Sequence, residues 1–390
     1  MKLAHNDSNK APLQYCGRVT RARANSLEPL KKVLQPSKPN SKPVGKENSK
    51  RHLSNASGAN PKRRSVLQDF TNRTKPISRQ FKPLPNHHAK FLGSNPAEET
   101  KIPKIESEPK DFTDIDTNIR DIQLCSLYAS EIHKQMCIQE LDYRPLTSYM
   151  ETLQQDITSS MRAILIDWLV EVSEEYKLVP DTLYLTVNLL DRFLSFNQIG
   201  KHKLQLLGVT CMLIASKYEE ICSPRVNEFC FITDNTYTKE EVLECESKVL
   251  NFLNFRISVA TTKTFLRRFI FASQSISEFP SQEFEFLANF LAELTLIEYE
   301  FLKFFPSIIA ASAIFLARWT LNPNIHPWNP TLEHYTSYKA LELKKVVLAL
   351  ENLQRNTANC PLNAVREKYK QPSFKSVANL SSLRSVASIF

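Results

Sequence analysis

The sequence predicts an all-α protein: two tandem helical bundles, preceded by an N-terminal helix and a long basic tail. Three observations carry this reading. Of the six glycines only Gly200 and Gly208 lie beyond residue 110, and no Asn-Gly, Asp-Gly or Gly-Gly pair occurs there to turn a β-hairpin. Apolar residues instead recur at helical spacing, in runs that begin at capping residues. A stripe of small residues, Gly208, Cys211 and Ala215, returns as Ala310, Ala313 and Ala317, each 102 positions later. Such a stripe lets neighbouring helices approach closely, as around a central helix, and its return marks an internal repeat.

The tail comes first. Residues 1–110 carry 23 Lys+Arg against 8 Asp+Glu, net +15, which leaves 27 against 33, net −6, for residues 111–390. The overall charge of +9 therefore describes the tail and not the folded part. Twelve of the 22 prolines and no tryptophan fall in the same 110 residues, so apolar burial cannot offset chain entropy and disorder is expected.

Residues 111–158 read as an N-terminal helix and linker, the helix running through "DFTDIDTNIRDIQLCSLYASEIHKQM" and ending near Cys137. Ser159 or Ser160 is the expected N-cap of "MRAILIDWLVEVSEEYKL". Pro180, Asp181 and Thr182 open a second helix of the bundle, "KLQLLGVTCMLIASKYEE" forms a third, and Ser223-Pro224 starts a short fourth. Thr238 with Glu241 makes a capping box for the fifth, so five helices fill 159–255. The second bundle is expected over 256–370, followed by a flexible C-terminus at 371–390.

"MRAILIDWLVEV" (Met161–Val172) places apolar groups on every side of one helix yet keeps Arg162 and Asp167. Such a helix is central to its domain, or packs one face inward and offers the other to a partner. The chemistry of an enzyme is missing: there is no Gly-rich phosphate loop, HExxH, kinase catalytic loop or G-x-S-x-G. The eight cysteines form no CxxC pair and show no Cys/His metal spacing, so neither metal nor cofactor is expected and a reducing compartment is implied. "MKLAHNDSNK" has no apolar core, and the longest uncharged apolar run, Phe304–Ala317, is 14 residues. A soluble, intracellular protein with no membrane partner is expected.

Three stretches, Met161–Ser195, Lys203–Leu243 and "REKYK" (Arg366–Lys370), resemble the A-type cyclins, most closely the plant forms. The similarity runs from about Ile115 to Lys370. The resemblance implies two cyclin boxes of five helices each, and an activating subunit of a cyclin-dependent Ser/Thr kinase that controls S-phase and mitotic progression without being an enzyme. Arg162, Asp191, Leu206, Lys217 and Glu246 match the signature of the first box. It further implies that Arg162 and Asp191 pair inside the box as structural residues. Lys217 and Glu246 would hold the kinase's regulatory αC helix, with Ile214, Tyr218 and Leu250 adding apolar contact. Met161, Ile164, Leu165, Trp168, Glu171 and Gln205 would form a shallow groove for Arg-x-Leu segments of substrates and inhibitors.

The tail carries two short motifs that suit this family. "RSVLQDFTN" places Arg64, Leu67, Phe70 and Asn72 in the pattern of a destruction box, with Gln68 where plant relatives commonly have Gly, and Lys46-Glu47-Asn48 forms a KEN box. Both would be read, as extended peptides, by the anaphase-promoting ubiquitin ligase. "PKRR" (Pro61–Arg64) reads as a nuclear import signal, giving a nuclear protein with a cytoplasmic pool. The alternative, a transcription-factor-type cyclin fold bound to DNA or a polymerase complex, predicts a basic folded domain. A net charge of −6 over 111–390 opposes it, and no direct nucleic-acid contact is expected.

Overall fold

The structure, a computed structural model, describes residues 112–117, 124–275, 281–356, 361–382 and 384–390. The KEN and destruction boxes and the import signal lie outside the described residues. Among the described residues every regular element is a helix. Two precede the first bundle, α1 (Ala129–Asp142) and the single turn α2 (Tyr149–Thr152). The first bundle comprises α3 (Ser159–Glu175), α4 (Pro180–Leu194), α5 (Leu204–Glu219), α6 (Val226–Ile232) and α7 (Lys239–Phe252). The second comprises α8 (Thr262–Gln274), α9 (Gln282–Ile297), α10 (Pro306–Leu321), α11 (Pro330–Thr336) and α12 (Ala340–Arg355). Helix α13 (Ala364–Lys370) follows.

Local chemistry accounts for the helix starts. Thr158, in extended backbone, accepts a hydrogen bond from the Met161 N–H at 3.3 Å, so it caps α3 in place of the expected Ser159 or Ser160. Pro180 occupies the first turn of α4, where its missing N–H costs nothing. Thr238 and Glu241 exchange the expected reciprocal bonds, at 2.8 and 3.2 Å.

The first helix departs from expectation at both ends: it begins at Ala129 and continues five residues beyond Cys137, to Asp142. Its last turns carry a buried carboxylate. Glu140 accepts from the backbone N–H of Ser307 at 3.0 Å and from its hydroxyl at 2.7 Å, at the positive end of α10. Ahead of α1, the Thr113 N–H binds Thr331, the Ile115 N–H binds the Tyr335 hydroxyl at 2.9 Å, and Asp116 takes both terminal nitrogens of Arg268.

The repeat extends well beyond one helix. The five helices of the second bundle start 103, 102, 102, 104 and 101 positions after their counterparts in the first. In each bundle the third helix is the axis: α5 touches α3, α4, α6 and α7, while α10 touches α8, α9 and α12. The small-residue stripe lies on these axes and is wholly buried. A Cβ added to Gly208 would come within 2.8 Å of the Leu165 side chain, so the glycine permits the approach of α3 to α5.

In the C-terminal stretch 371–390, expected to be flexible, the described residues, 371–382 and 384–390, instead pack against the second bundle. Val377 and Val386 are fully buried, and the Phe390 ring stacks on Phe315 with centroids 5.2 Å apart. Glu351 of α12 accepts from the Val386 N–H at 2.9 Å and from the Ser385 hydroxyl at 3.0 Å, while the Trp319 indole N–H donates to the Arg384 carbonyl at 3.2 Å. The serine-rich stretch hides a handful of apolar anchors, too few to register as a periodic helix.

Candidate functional site

Arg162 sits on the inner face of α3 with 1% of its side chain exposed, and it is held by more than its expected partner. Its Nε and Nη2 donate to the two carboxylate oxygens of Asp191 on α4, each at 2.7 Å. Its Nη1 donates to the Leu296 and Ile297 carbonyls, at 3.0 and 3.2 Å. These belong to the last turn of α9, whose carbonyls have no partner within the helix and whose dipole favours a cation. Asp191 also accepts from the Tyr149 hydroxyl at 2.7 Å. Burial acts to lower the Arg162 pKa, and the Asp191 carboxylate more than reverses it, so the guanidinium stays charged. The pair therefore joins α2 and both bundles. Leu206, on α5, is a core residue.

Lys217 and Glu246 lie on a different face. They come from α5 and α7, and Lys217 Nζ stands 2.5 Å from Glu246 Oε1, with the lysine side chain 45% exposed and the glutamate 12%. Around them Tyr218 and Leu243 are exposed, Leu250 is half-buried, and Ile221, just past the end of α5, is wholly exposed. Ile214 is buried and supports the face from beneath. Three of the five residues predicted for this surface, Lys217, Tyr218 and Leu250, thus reach solvent or its edge, while Glu246 is buried beneath Lys217 along with Ile214.

The counterpart positions in the second bundle are closed off from solvent. Lys217 plus 102 is Trp319 on α10, and Glu246 plus 101 is Val347 on α12, both buried. The segment that closes over Trp319 is the chain's own C-terminal stretch, through the Arg384 carbonyl.

The groove residues divide. Met161, Ile164, Glu171 and Gln205 are half-buried, whereas Leu165 is fully buried against Gly208 and Trp168 is only 4% exposed. Trp168 and Glu171 do line an open cavity of about 200 Å³ between α3 and α13, along with Glu174, Glu175, Ile232 and Lys368. Glu367 is a fourth glutamate in its lining, which also holds apolar side chains.

Two features escaped the sequence. Asp167 Oδ1 accepts from the Ala364 N–H at 2.9 Å, capping α13, which follows the second bundle. Burial pushes its carboxyl up to about 6; the Ala364 bond opposes this and Glu171 adds to it. Beside it, Lys368 of α13 ion-pairs with Glu293 at 2.9 Å and Glu174 at 3.2 Å, and the Tyr369 hydroxyl donates to Glu293 at 2.9 Å. Lys368 and Tyr369 stand in the "REKYK" stretch that carried part of the resemblance, which was the one available signal.

Two tandem five-helix bundles of one plan, the first with the Lys217–Glu246 pair between its third and fifth helices, define the class of fold, and comparison with known proteins identifies it. The profile described as "Cyclin, N-terminal domain" matches residues 131–258, and "Cyclin, C-terminal domain" matches 260–383. Cyclin-A2-2 of Arabidopsis thaliana is 64% identical over 277 residues, 71% of this chain and 64% of the relative. Cyclin-A2-1 of Oryza sativa subsp. japonica is 60% identical over 309 residues, covering 78% and 63%. Cyclin-A2-1 of Arabidopsis thaliana is 50% identical over 96% of this chain and 94% of its own. The first two matches thus span a little under two thirds of those relatives' lengths. Among solved structures, a viral cyclin from herpesvirus saimiri superposes with a TM-score of 0.52 at 25% identity, covering 57% of this chain and 96% of that one. The chain belongs to the cyclin family, and the curated relatives named here are plant A-type cyclins.

Proposed function

We propose that this chain is the activating regulatory subunit of a cyclin-dependent Ser/Thr kinase in the cell-division cycle, carrying no catalysis itself. The observation that carries the reading is the Lys217–Glu246 pair, 2.5 Å apart across α5 and α7 and flanked by exposed Tyr218. A protein kinase aligns ATP only when its β3 lysine meets the αC glutamate. A surface that binds the helix-in state better than the helix-out state shifts that equilibrium by its differential affinity. Here the two clamp residues are already aligned on rigid helices, so little ordering remains on binding. Lys217→Ala with Glu246→Ala should abolish stimulation of a co-purified cell-division kinase in a histone phosphorylation assay, with helical circular dichroism unchanged. Undiminished stimulation overturns the reading.

Two further roles are part of the proposal. The cavity beside Trp168 supports docking of Arg-x-Leu segments: Glu171 and neighbouring glutamates line it and suit the arginine, while Met161 and Ile164, half-buried on the same helix outside that lining, offer apolar contact to the leucine. The tail motifs at 46–48 and 64–72 support timed destruction through the anaphase-promoting ubiquitin ligase, and the basic Pro61–Arg64 supports nuclear import.

A further inference from the structure

Ser223-Pro224 is the one Ser-Pro or Thr-Pro dipeptide in all 390 residues, and it falls beside the proposed clamp. It lies between α5 and α6, in a segment with extended backbone at Glu220 (φ −90°, ψ 143°) and Arg225 (φ −76°, ψ 154°). Ile221, Cys222 and Arg225 are exposed. A protein kinase takes its acceptor in an extended segment, and a kinase that leaves the next residue's N–H unmatched selects proline, which has none.

The segment is tethered at its ends and pinned in its middle. Glu220 accepts from the Val179 N–H at 2.7 Å and the Thr182 hydroxyl at 2.6 Å, at the start of α4. Glu228 accepts from the Arg225 N–H at 2.5 Å. Between them the Ser223 hydroxyl sits 2.9 Å from that of Ser216, which is fully buried and also donates to the Leu213 carbonyl at 3.0 Å. Ser216 immediately precedes Lys217 and Tyr218.

We propose that Ser223 is a phosphorylation site for a proline-directed Ser/Thr kinase, and that its modification loosens the grip of the α5–α7 face. In the transfer, Ser223 Oγ bonds to the γ-phosphorus of ATP as the bond to the ADP oxygen breaks, and the hydroxyl proton passes to the kinase's base and on to water. The product carries nearly two negative charges and cannot remain against buried Ser216. Glu219 and Glu220 repel it, so the segment turns outward on its two tethers and breaks the Ser223–Ser216 bond that holds it beside Lys217 and Tyr218. The effect on binding rests on the kinase-subunit reading above; the modification itself does not.

The test incubates the full chain with a purified proline-directed kinase and ATP, maps phosphate by mass spectrometry, and measures affinity for the partner kinase. One phosphate at Ser223, absent in Ser223→Ala, is expected, with affinity lowered about tenfold after modification and unchanged in Ser223→Ala. Absence of phosphate on Ser223, or a modified chain that binds as tightly as the unmodified one, overturns the proposal. Failure of the unmodified chain to bind any cell-division kinase would instead overturn the functional reading, while the phosphate map still decides the site.

Discussion

Arg162 meets a carboxylate through two nitrogens and two backbone carbonyls through the third, with almost no contact with water. Removing one member of such a set strands the other, at a cost of about 3 to 5 kcal/mol. Its pairing with Asp191 was expected from resemblance, but the carbonyls of Leu296 and Ile297 were not, because a backbone acceptor leaves no mark in a side-chain pattern. Asp167 shows the same limit: what it caps is 197 residues away. Its carboxyl, raised from 3.8 to about 6 in the fold, favours the native state at low pH, and this contribution is lost as pH rises through 6. Asp167→Asn keeps an acceptor for Ala364 without burying a charge. We expect its melting temperature to equal or exceed that of the parent at pH 7.5, with the difference shrinking below pH 5. Comparison with the parent cancels the opposite trend from His133, whose pKa burial and Arg268 lower to about 4.

At the scale of elements, α3 settles the puzzle of a helix greasy on all sides. Its inner face packs on α5 through Leu165 and Gly208 and reaches α9 through Arg162, while Met161, Ile164 and Glu171 stay at the edge of solvent. Most helix starts of the first bundle were legible because capping is local, within four residues, but α6 starts at Val226 and not at the expected Ser223-Pro224, which lies in the extended segment before it. The limits of α1 were not, since the helix extends to deliver Glu140 to α10, a tertiary demand. The groove was legible as a residue set but not as an exposure pattern. Truncating Trp168 would test packing more than docking, because it is 4% exposed. Glu171→Ala is the cleaner probe: KM for Arg-x-Leu substrates should rise about tenfold, and short peptides lacking that element should be unaffected. Equal changes for both would remove docking from the reading.

Across the whole molecule, composition separates a basic tail from an acidic folded part, and the family match begins at residue 131, well beyond the tail motifs. Replacing Arg64 and Leu67 by Ala together with Lys46-Glu47-Asn48 by Ala should extend the protein's half-life after mitosis several-fold, measured by chase in dividing cells; unaltered decay would count against both motifs. The two bundles are equal in plan but not in what covers them. The 102-residue spacing was visible in one stripe of small residues, whereas the sealing of the second bundle was not, because its cover comes from a serine-rich segment without helical period.

That cover has a consequence of its own. Val386 and Phe390 lie on α12 and α10, so residues 384–390 cover part of the second bundle that has no such cover at the matching Lys217 and Glu246 positions of the first. Ending the chain after Leu380 should lay bare Phe315, Trp319 and Glu351 together. Light scattering should then find more self-association than in the full chain, as a vacated seat invites a neighbour's helix to take it.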